Sequence, residues 1–586
     1  MKIPETYCIL DIECWQPTGK PDVNTAELRY CGIKSCTGAY RIFHFTEADA
    51  IRSALRGFSY VVGHNLINYD IPVLNKYGYR TSGIVIDTYQ IVDRRAKSMM
   101  YIDLNQGDRS LAKLLERFEL PVQKGTLDYS LLKNEVLIGN EYSDLEKYLK
   151  GDLDGSDALF NYFYEFFSGF KGLVNSEDQR KMAWLKSSPG AVTYKVICNL
   201  ADIPEEYGDK EERKGVQYEG GFVSPPENDY YEGDIHCYDF KSLYPHCFIG
   251  GNLYSLSSAD TDWNGSGVYP NIFGNDMDGI RGHYSREQGR IEEIIQYLFN
   301  ERNKIPKTDK RNLAYKIVIN TAYGISGDPK FKSLYNLTTA SDCTALARRT
   351  IKHARTVLQE KGYKCIYTDT DSIFVYDPYK DKERLDKLIE WISEEQRKSF
   401  NIYIPSHNLE HECNIKRIYF FRKETGVFSK KHYIYVKDDD SITVKGMQVI
   451  KGTASPLSKK ILEEVIKPMI INKEEVVKDY DYWKEIYQRY ATEHPELLVK
   501  RYRVWPLSTY ENSTSLQSQI SKRYGEGEHF LVLNSRIGAG KGNRYAKVEE
   551  LKEKLGEDWY KVIKVNAYMK DIIEFINYKQ RGRLAK

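Results

Sequence analysis

The sequence predicts an α/β chain of several domains, on three observations. Its 586 residues are enough for roughly three to five domains, and an apolar content of 41% allows sizeable cores. Short runs such as Tyr7-Cys8-Ile9-Leu10 and Ile373-Phe374-Val375 read as buried strands. Stretches such as Asp144–Asp152 and Lys316–Tyr323 carry helical spacing.

Composition excludes several classes. No run approaches a membrane-spanning length, and the N-terminal residues lack a signal-peptide core. The 10 cysteines contain no Cys-x-x-Cys pair, so neither a zinc site nor a disulfide framework is implied. A reducing cytosol is the expected compartment. Net charge is only +2, but acidic clusters can offset a basic groove, so overall charge does not decide for or against a polyanion. The 47 tyrosines suit base stacking and are equally ordinary strand filler.

Taken in chain order, the first chemical element is the strand Tyr7–Glu13. Asp11 and Glu13 are two apart and share a face. Asp70 follows the apolar Tyr60-Val61-Val62 and the segment Gly63-His64-Asn65. Tyr148 and Asp152 are i and i+4 on a helix. Four carboxylates of this kind suit two metal ions and attack by water on a phosphodiester, with Tyr148 orienting the water. Each piece alone is also what a solvated turn or a surface pair looks like. Further on, Asp239 closes the strand of Tyr238-Asp239-Phe240-Lys241-Ser242-Leu243-Tyr244-Pro245. Lys316, Asn320 and Tyr323 form one helical stripe, anchored by Ile317, Val318 and Ile319. Such a stripe suits a triphosphate, a sugar-phosphate and a base. Finally Tyr367-Thr368-Asp369-Thr370-Asp371-Ser372 reads as strand, acidic turn and strand. Two carboxylates on a short turn repel unless a cation sits there, and Mg²⁺ prefers such oxygens. Alone, the turn also suits a calcium loop or plain solvent.

The ordered set resembles the family B DNA polymerases. Asp239 to Pro245, Lys316 to Gly324 and Tyr367 to Ser372 match their motifs A, B and C. The N-terminal carboxylates with Tyr148 resemble the 3′–5′ proofreading exonucleases. The resemblance implies a ribonuclease-H-like exonuclease domain at 1–168, a connecting segment at 169–230, palm segments at 231–282 and 341–455, fingers at 283–340 and a thumb at 456–586. It implies Asp239 and Asp371, with the Phe240 carbonyl, as ligands of two Mg²⁺ ions, Mn²⁺ being an acceptable substitute, and Asp369 as a weaker ligand. The exonuclease metals fall to Asp11, Glu13, Asp70 and Asp152. Lys316 and Arg302 go to the triphosphate, Ser242, Leu243, Asn320 and Tyr323 to the nucleotide, and Tyr244 beneath the sugar. The usual partner of Arg302 is replaced by Pro306, leaving Lys304 or Lys307.

Several further segments extend the match. Tyr218-Glu219-Gly220-Gly221 resembles the motif that partitions the primer end. Lys430-Lys431-His432-Tyr433, led by Leu409-Glu410-His411-Glu412, resembles the motif that grips primer–template duplex, with His432 where arginine is usual. Lys445-Gly446-Met447 resembles the approach to the thumb. Asn65 and Ser110-Leu111 match positions that hold single-stranded DNA. Lys124 resembles the lysine that steadies the scissile phosphate in small phage polymerases, and is otherwise a loop lysine. Arg536, Lys541 and Arg544 are candidate phosphate contacts.

The implied partners are primer–template DNA, deoxynucleoside triphosphates and replication accessory proteins, with no membrane and a monomeric enzyme. The short N-terminus points to a compact phage-like type in a bacterial or phage-infected cytoplasm. Protein-primed synthesis is the alternative. Against it, the stretch from Gly324 to Asp369 leaves little room for the extra subdomain of such enzymes, and only Asp260–Gly282 has room for a small insertion. A stand-alone nuclease or an inactive scaffold fits poorly with intact Asp239, Lys316 and Asp371.

Overall fold

The computed structural model describes residues 6–17, 21–99, 109–122, 124–209, 217–254, 284, 287–451, 454–504, 507, 515–525, 527–533 and 545–585. The loop 260–282 and Arg536, Lys541 and Arg544 lie outside the described residues. The chain forms two compact units. Among the described residues, the first takes everything up to Tyr218 and the stretch from Tyr244 to Cys343. The second takes Glu219–Leu243 and everything from Thr344 on.

The first unit opens with a five-stranded mixed sheet. Strands β1 (Tyr7–Trp15), β2 (Glu27–Ser35), β3 (Tyr40–His44), β4 (Tyr60–Gly63) and β5 (Ile84–Asp87) lie in the order β3-β2-β1-β4-β5. β1 pairs antiparallel with β2 and parallel with β4. It is the central strand, and its Cys8, Ile9 and Leu10 are wholly buried, which explains an apolar run in place of alternation. Helix α1 (Asp70–Lys76) follows β4, and α2 (Leu111–Arg117) precedes the long helix α3 (Gly139–Phe166). α3 seats closely on the sheet because β2 carries Gly32, where a Cβ would stand 2.8 Å from Leu149 Cγ. That contact sets the depth of Tyr148 and Asp152. Later in the unit, α4 (Arg290–Asn303) and α5 (Lys310–Ser326) pack as a helical pair. Asn312 joins them, accepting from Arg302 Nε at 3.0 Å.

The second unit holds a seven-stranded antiparallel sheet. Its strands are β6 (Val223–Ser224), β7 (Tyr230–Phe240), β8 (Lys364–Asp369), β9 (Ser372–Tyr376), β10 (Leu409–Arg422), β11 (Phe428–Lys437) and β12 (Ile442–Lys445), in the order β12-β11-β10-β7-β9-β8-β6. β7 is central, with Asp239 opposite Ser372 on one side and Glu410 on the other. One face buries Ile235, Cys237, Tyr367, Phe374, Phe420 and Tyr433 in a common core. A three-stranded sheet of β13 (Val499–Val504), β14 (Gly527–Leu533) and β15 (Tyr545–Lys547) belongs to a second core with Trp483, Tyr487 and Tyr568. All ten cysteines are free thiols. No helix among the described residues is long and apolar enough to cross a membrane.

Candidate active sites

In the first unit, Asp11, Glu13 and Asp152 each bring one oxygen within 4.8 Å of the others. β1 delivers the first two, and α3 the third. Burial and mutual repulsion act together. Asp11 is held well above the carboxylate range by burial, then by Asp70, Glu13 and Asp152. Glu13 is pushed up to about 8 by burial and then by Asp152. Asp152 is also raised by burial, against the pull of Lys124. Its Oδ1 is buried without a hydrogen-bond partner. A buried, unpaired carboxylate oxygen beside two further carboxylates fits a hard divalent cation, which would satisfy the oxygen and relieve the repulsion.

Asp70 stands outside that tight trio. It begins α1, and its Oδ1 accepts the Ile12 backbone N–H at 3.2 Å. Burial raises it to about 7. Lys124 Nζ lies 2.8 Å from Asp152 Oδ2 and 5.2 Å from the Tyr148 ring centroid, so the structure gathers this loop lysine into the centre. Burial lowers its pKa, but Asp152, with Asp11 and Tyr129, more than compensates, and the net shift is upward.

Tyr129 was not foreseen in the sequence: its hydroxyl meets that of Tyr148 at 2.8 Å. Its position five after Lys124 was the available signal. Asp87 was also missed. It is buried and accepts the backbone N–H groups of Asn65 (2.8 Å), Ile67 (2.9 Å) and Tyr89 (3.0 Å). It thereby fixes the turn in which Asn65 takes a left-handed backbone, φ 68°. Burial drives His64 down to about 4. The ring bridges Thr88 Oγ1 (2.9 Å) and the Arg109 carbonyl (2.8 Å), tying this turn to Ser110. Ser110 is exposed, whereas Leu111 is buried against Gly155 of α3, so its side chain packs in the core.

In the second unit, the acidic turn is a two-residue hairpin between β8 and β9. Thr370 at its tip has φ 63°, an uncommon conformation for a β-branched residue. Its N–H bonds the Phe222 carbonyl at 2.8 Å, and Lys431 Nζ reaches its hydroxyl at 3.0 Å. Ser242 (φ 55°) and Lys431 (φ 63°) share the strained backbone. Strain of this kind persists where surrounding structure over-determines it, commonly at functional sites. The Phe240 N–H donates to the Asp371 carbonyl at 2.8 Å, and Ser372 Oγ to Asp239 Oδ2 at 2.7 Å. These bonds bring the two carboxylate-bearing segments together. Burial, then Asp371, lifts Asp239 to about 7. Asp371 is raised chiefly by burial, against its own backbone N–H and Lys431, which pull it down while Asp369 and Glu412 push it up. Glu412, read in the sequence only as part of an approach segment, thus adds charge to both.

The remaining expected contacts divide. Asp369 is engaged by Lys431 Nζ at 3.0 Å and by the Tyr433 hydroxyl at 3.4 Å. Lys431, expected on duplex DNA, is therefore tied to the hairpin. Tyr433, expected there too, is buried against Tyr367 and Phe374, while Lys430 is exposed. Gly446 has φ 73° and leaves no room for a Cβ against the Lys431 carbonyl. Gly220 accepts Arg348 Nη1 at 2.9 Å, and Gly221 follows it into β6.

Back in the first unit, Lys316, Asn320 and Tyr323 lie on the less buried side of α5, opposite Ile317, Val318 and Ile319. Tyr323 stacks on Tyr244 at 4.8 Å, and its hydroxyl meets that of Tyr218 at 3.2 Å. Leu243, which closes the second unit's segment, is buried.

Residues 196–551, more than half the chain, match the family model described as DNA polymerase family B. The chain belongs to DNA polymerase family B. A DNA polymerase of Archaeoglobus fulgidus is 28% identical over 313 residues, 50% of this chain and 35% of that protein. One from Pyrococcus glycovorans is 30% identical over 387 residues, covering 63% and 48%. The chain spans between a third and a half of the length of these two archaeal relatives. In fold, this family B chain is similar to the family B DNA polymerase of Pyrobaculum calidifontis, with a TM-score of 0.55, 17% identity, and coverage of 100% of this chain and 78% of that one.

Proposed function

We propose that this family B chain is a template-directed DNA polymerase that extends a primer 3′ end and edits it with a 3′–5′ exonuclease. The observation that carries this reading is the meeting of Asp239 and Asp371 through the Phe240 and Ser372 hydrogen bonds, alongside a separate carboxylate trio. On this reading the sheet with Asp239 and Asp371 is the palm, α4 and α5 are fingers, and the first sheet is the exonuclease. Divalent cations, two per centre, would be held by Asp239 and Asp371 in one and by Asp11, Glu13, Asp152 and Asp70 in the other. When bound, they supply an acidified attacking oxygen and a stabilised leaving group.

The side chains do the rest. Tyr148, steadied by Tyr129, orients the attacking water, and Lys124 offers its charge to the scissile phosphate. Asp87 and His64 hold Asn65 and Ser110 for a single-stranded end. In synthesis, Lys316 and Arg302 take the triphosphate. Tyr244, braced by Tyr323, lies beneath the sugar and rejects a 2′-hydroxyl by clash. The Lys124 contact resembles the editing centre of small phage polymerases, and the short stretch from Gly324 to Asp369 favours an ordinary nucleic-acid primer with modest processivity.

The test is nucleotide incorporation on primed DNA and digestion of a single strand, each with Mg²⁺ and with a chelator. Both activities should appear only with the metal. A chain that digests but never incorporates would reduce the reading to a nuclease.

A further inference from the structure

A cavity lies in the second unit. It measures about 630 Å³ and is framed by the start of β7, the end of β10, the segment 473–477 and the C-terminal segment 574–581. That size is in the range of small-molecule sites. None of the carboxylates assigned above to a metal lines it.

Its walls are aromatic. Tyr230 and Tyr419 pack with ring centroids 4.9 Å apart, and Phe421 and Tyr578 continue the surface. Tyr230 is 38% exposed, an unusual degree for a ring on a central strand. The charges are unbalanced, with five carboxylates against three cations. The cations are all occupied within the protein. Arg422 pairs with Asp229 at 2.7 Å, and Lys473 with Glu232 at 2.5 Å. Arg581 spends its donors on the carbonyls of Ile576 (3.0 Å), Arg422 (2.5 Å) and Glu574 (3.1 Å).

Glu574 is the one buried carboxylate of the five, and its charge also acts on Arg581. It is 5% exposed, and its Oε2 is buried with no hydrogen-bond partner. Its Oε1 stands 3.0 Å from His432 Nδ1, off the line of a hydrogen bond. A buried carboxylate keeps its field in a low dielectric, where it favours a cation in the adjoining cavity. Aromatic faces attract a cation through their quadrupole, and a flat one presents the most area. A neutral or anionic ligand would leave the acidic excess uncompensated.

We propose that this cavity binds a flat organic cation of the guanidinium or amidinium class between walls supplied by Tyr230, Tyr419 and Tyr578, its charge balanced by an acidic lining of which Glu574 is the buried member. A free small molecule and an arginine side chain of a peptide share this chemistry.

The experiment is calorimetric or ligand-detected NMR titration of the full chain, without nucleic acid, so that its result is independent of the proposed activities. The probes are benzamidinium, L-argininamide, a short arginine-containing peptide and, as a neutral counterpart, benzyl alcohol. Saturable binding of the cations is expected, weakened about tenfold or more in Glu574→Gln and in Tyr230→Ala. The half-exposed Tyr230 provides a variant that spares the buried core should Glu574→Gln not fold. A peptide that binds about tenfold more tightly than argininamide assigns the site to an arginine side chain, and equal affinities assign it to a small molecule. No saturation by any cation up to on the order of 10 mM, equal binding of benzyl alcohol, or unchanged affinity in the folded variants would overturn the proposal.

Discussion

Asp11, Glu13 and Asp152 are assembled by tertiary convergence, a strand and a distant helix meeting at a depth set by Gly32 and Leu149. Asp239 and Asp371 are assembled by strand register, since β7 and the β8–β9 hairpin are neighbours in one sheet. The first centre also carries its own cation, Lys124, on one of its three carboxylates. In the second, Lys431 makes its ion pair with Asp369 and only lowers Asp371 through its field. Register is rigid and cheap to encode in a short motif. Convergence needs correct packing across well over a hundred residues, so the first centre should be the more sensitive to remote core changes.

The sharpest way to break the comparison is to cripple each centre alone. Asp371→Asn should cut nucleotide incorporation roughly 10³-fold or more while single-strand digestion persists. Asp11→Ala combined with Glu13→Ala should do the reverse. A folded variant that loses both activities would mean that the centres are not separate. Sugar choice comes next: Tyr244→Val should raise ribonucleotide use relative to deoxyribonucleotide use by roughly 100-fold, measured as the ratio of incorporation efficiencies. Unchanged discrimination would remove Tyr244 from beneath the sugar.

A third test uses protons. Without metal, Glu13 and Asp70 hold theirs up to about 8 and about 7. Both folded values exceed the ordinary ones. Their stabilising contribution is therefore complete below the ordinary carboxylate range and is lost as pH rises through about 7 to 8. The metal-free protein should melt progressively lower as pH rises from the ordinary carboxylate range to about 8 and level off above it, by calorimetry, and Mg²⁺ or Mn²⁺ should restore stability at the upper end. Metal affinity should rise over the same window, because bound cations displace those protons. Affinity flat with pH would contradict the buried trio.

Glu292 supplies the control. It is a fully buried carboxylate on α4, raised to about 7 by burial, but it belongs to no carboxylate trio among the described residues. Its stabilising contribution is likewise present below the ordinary range and lost through about 7. Glu292→Gln should raise the melting temperature by a few degrees at pH 8 and change little at pH 4, with no metal dependence. An equal response to Mg²⁺ in both proteins at Glu292 would show that a raised carboxylate alone does not mark a site.

This contrast also explains what the sequence disclosed. The hairpin of Asp369 and Asp371, the strand of Asp239 and the α5 stripe were legible because two-residue and 3.6-residue periods are local. Tyr148 and Asp152 were legible for the same reason. Asp87 was invisible, since what matters about it is two backbone N–H groups brought from the turn after β4, those of Asn65 and Ile67, beside the local one of Tyr89. The burial of Tyr433 and Leu111 was equally hidden. Motif spacing says which side chains travel together, not which of them the core claims.

The position of β7 bears on how the chain is made. This central strand leaves the ribosome some 130 residues before Ser372–Tyr376, a wait of roughly 7–26 s at about 5–20 residues per second, and longer before Leu409–Arg422. Both its edges stand unpaired meanwhile, a template for wrong partners. Glu232, Asp234 and Asp239 interrupt the strand with negative charge at intervals, and like charges keep two such nascent strands from pairing. The carboxylate proposed for nucleotidyl transfer thus also adds charge to the newborn strand, which disfavours its pairing with a second copy before there is any site to occupy.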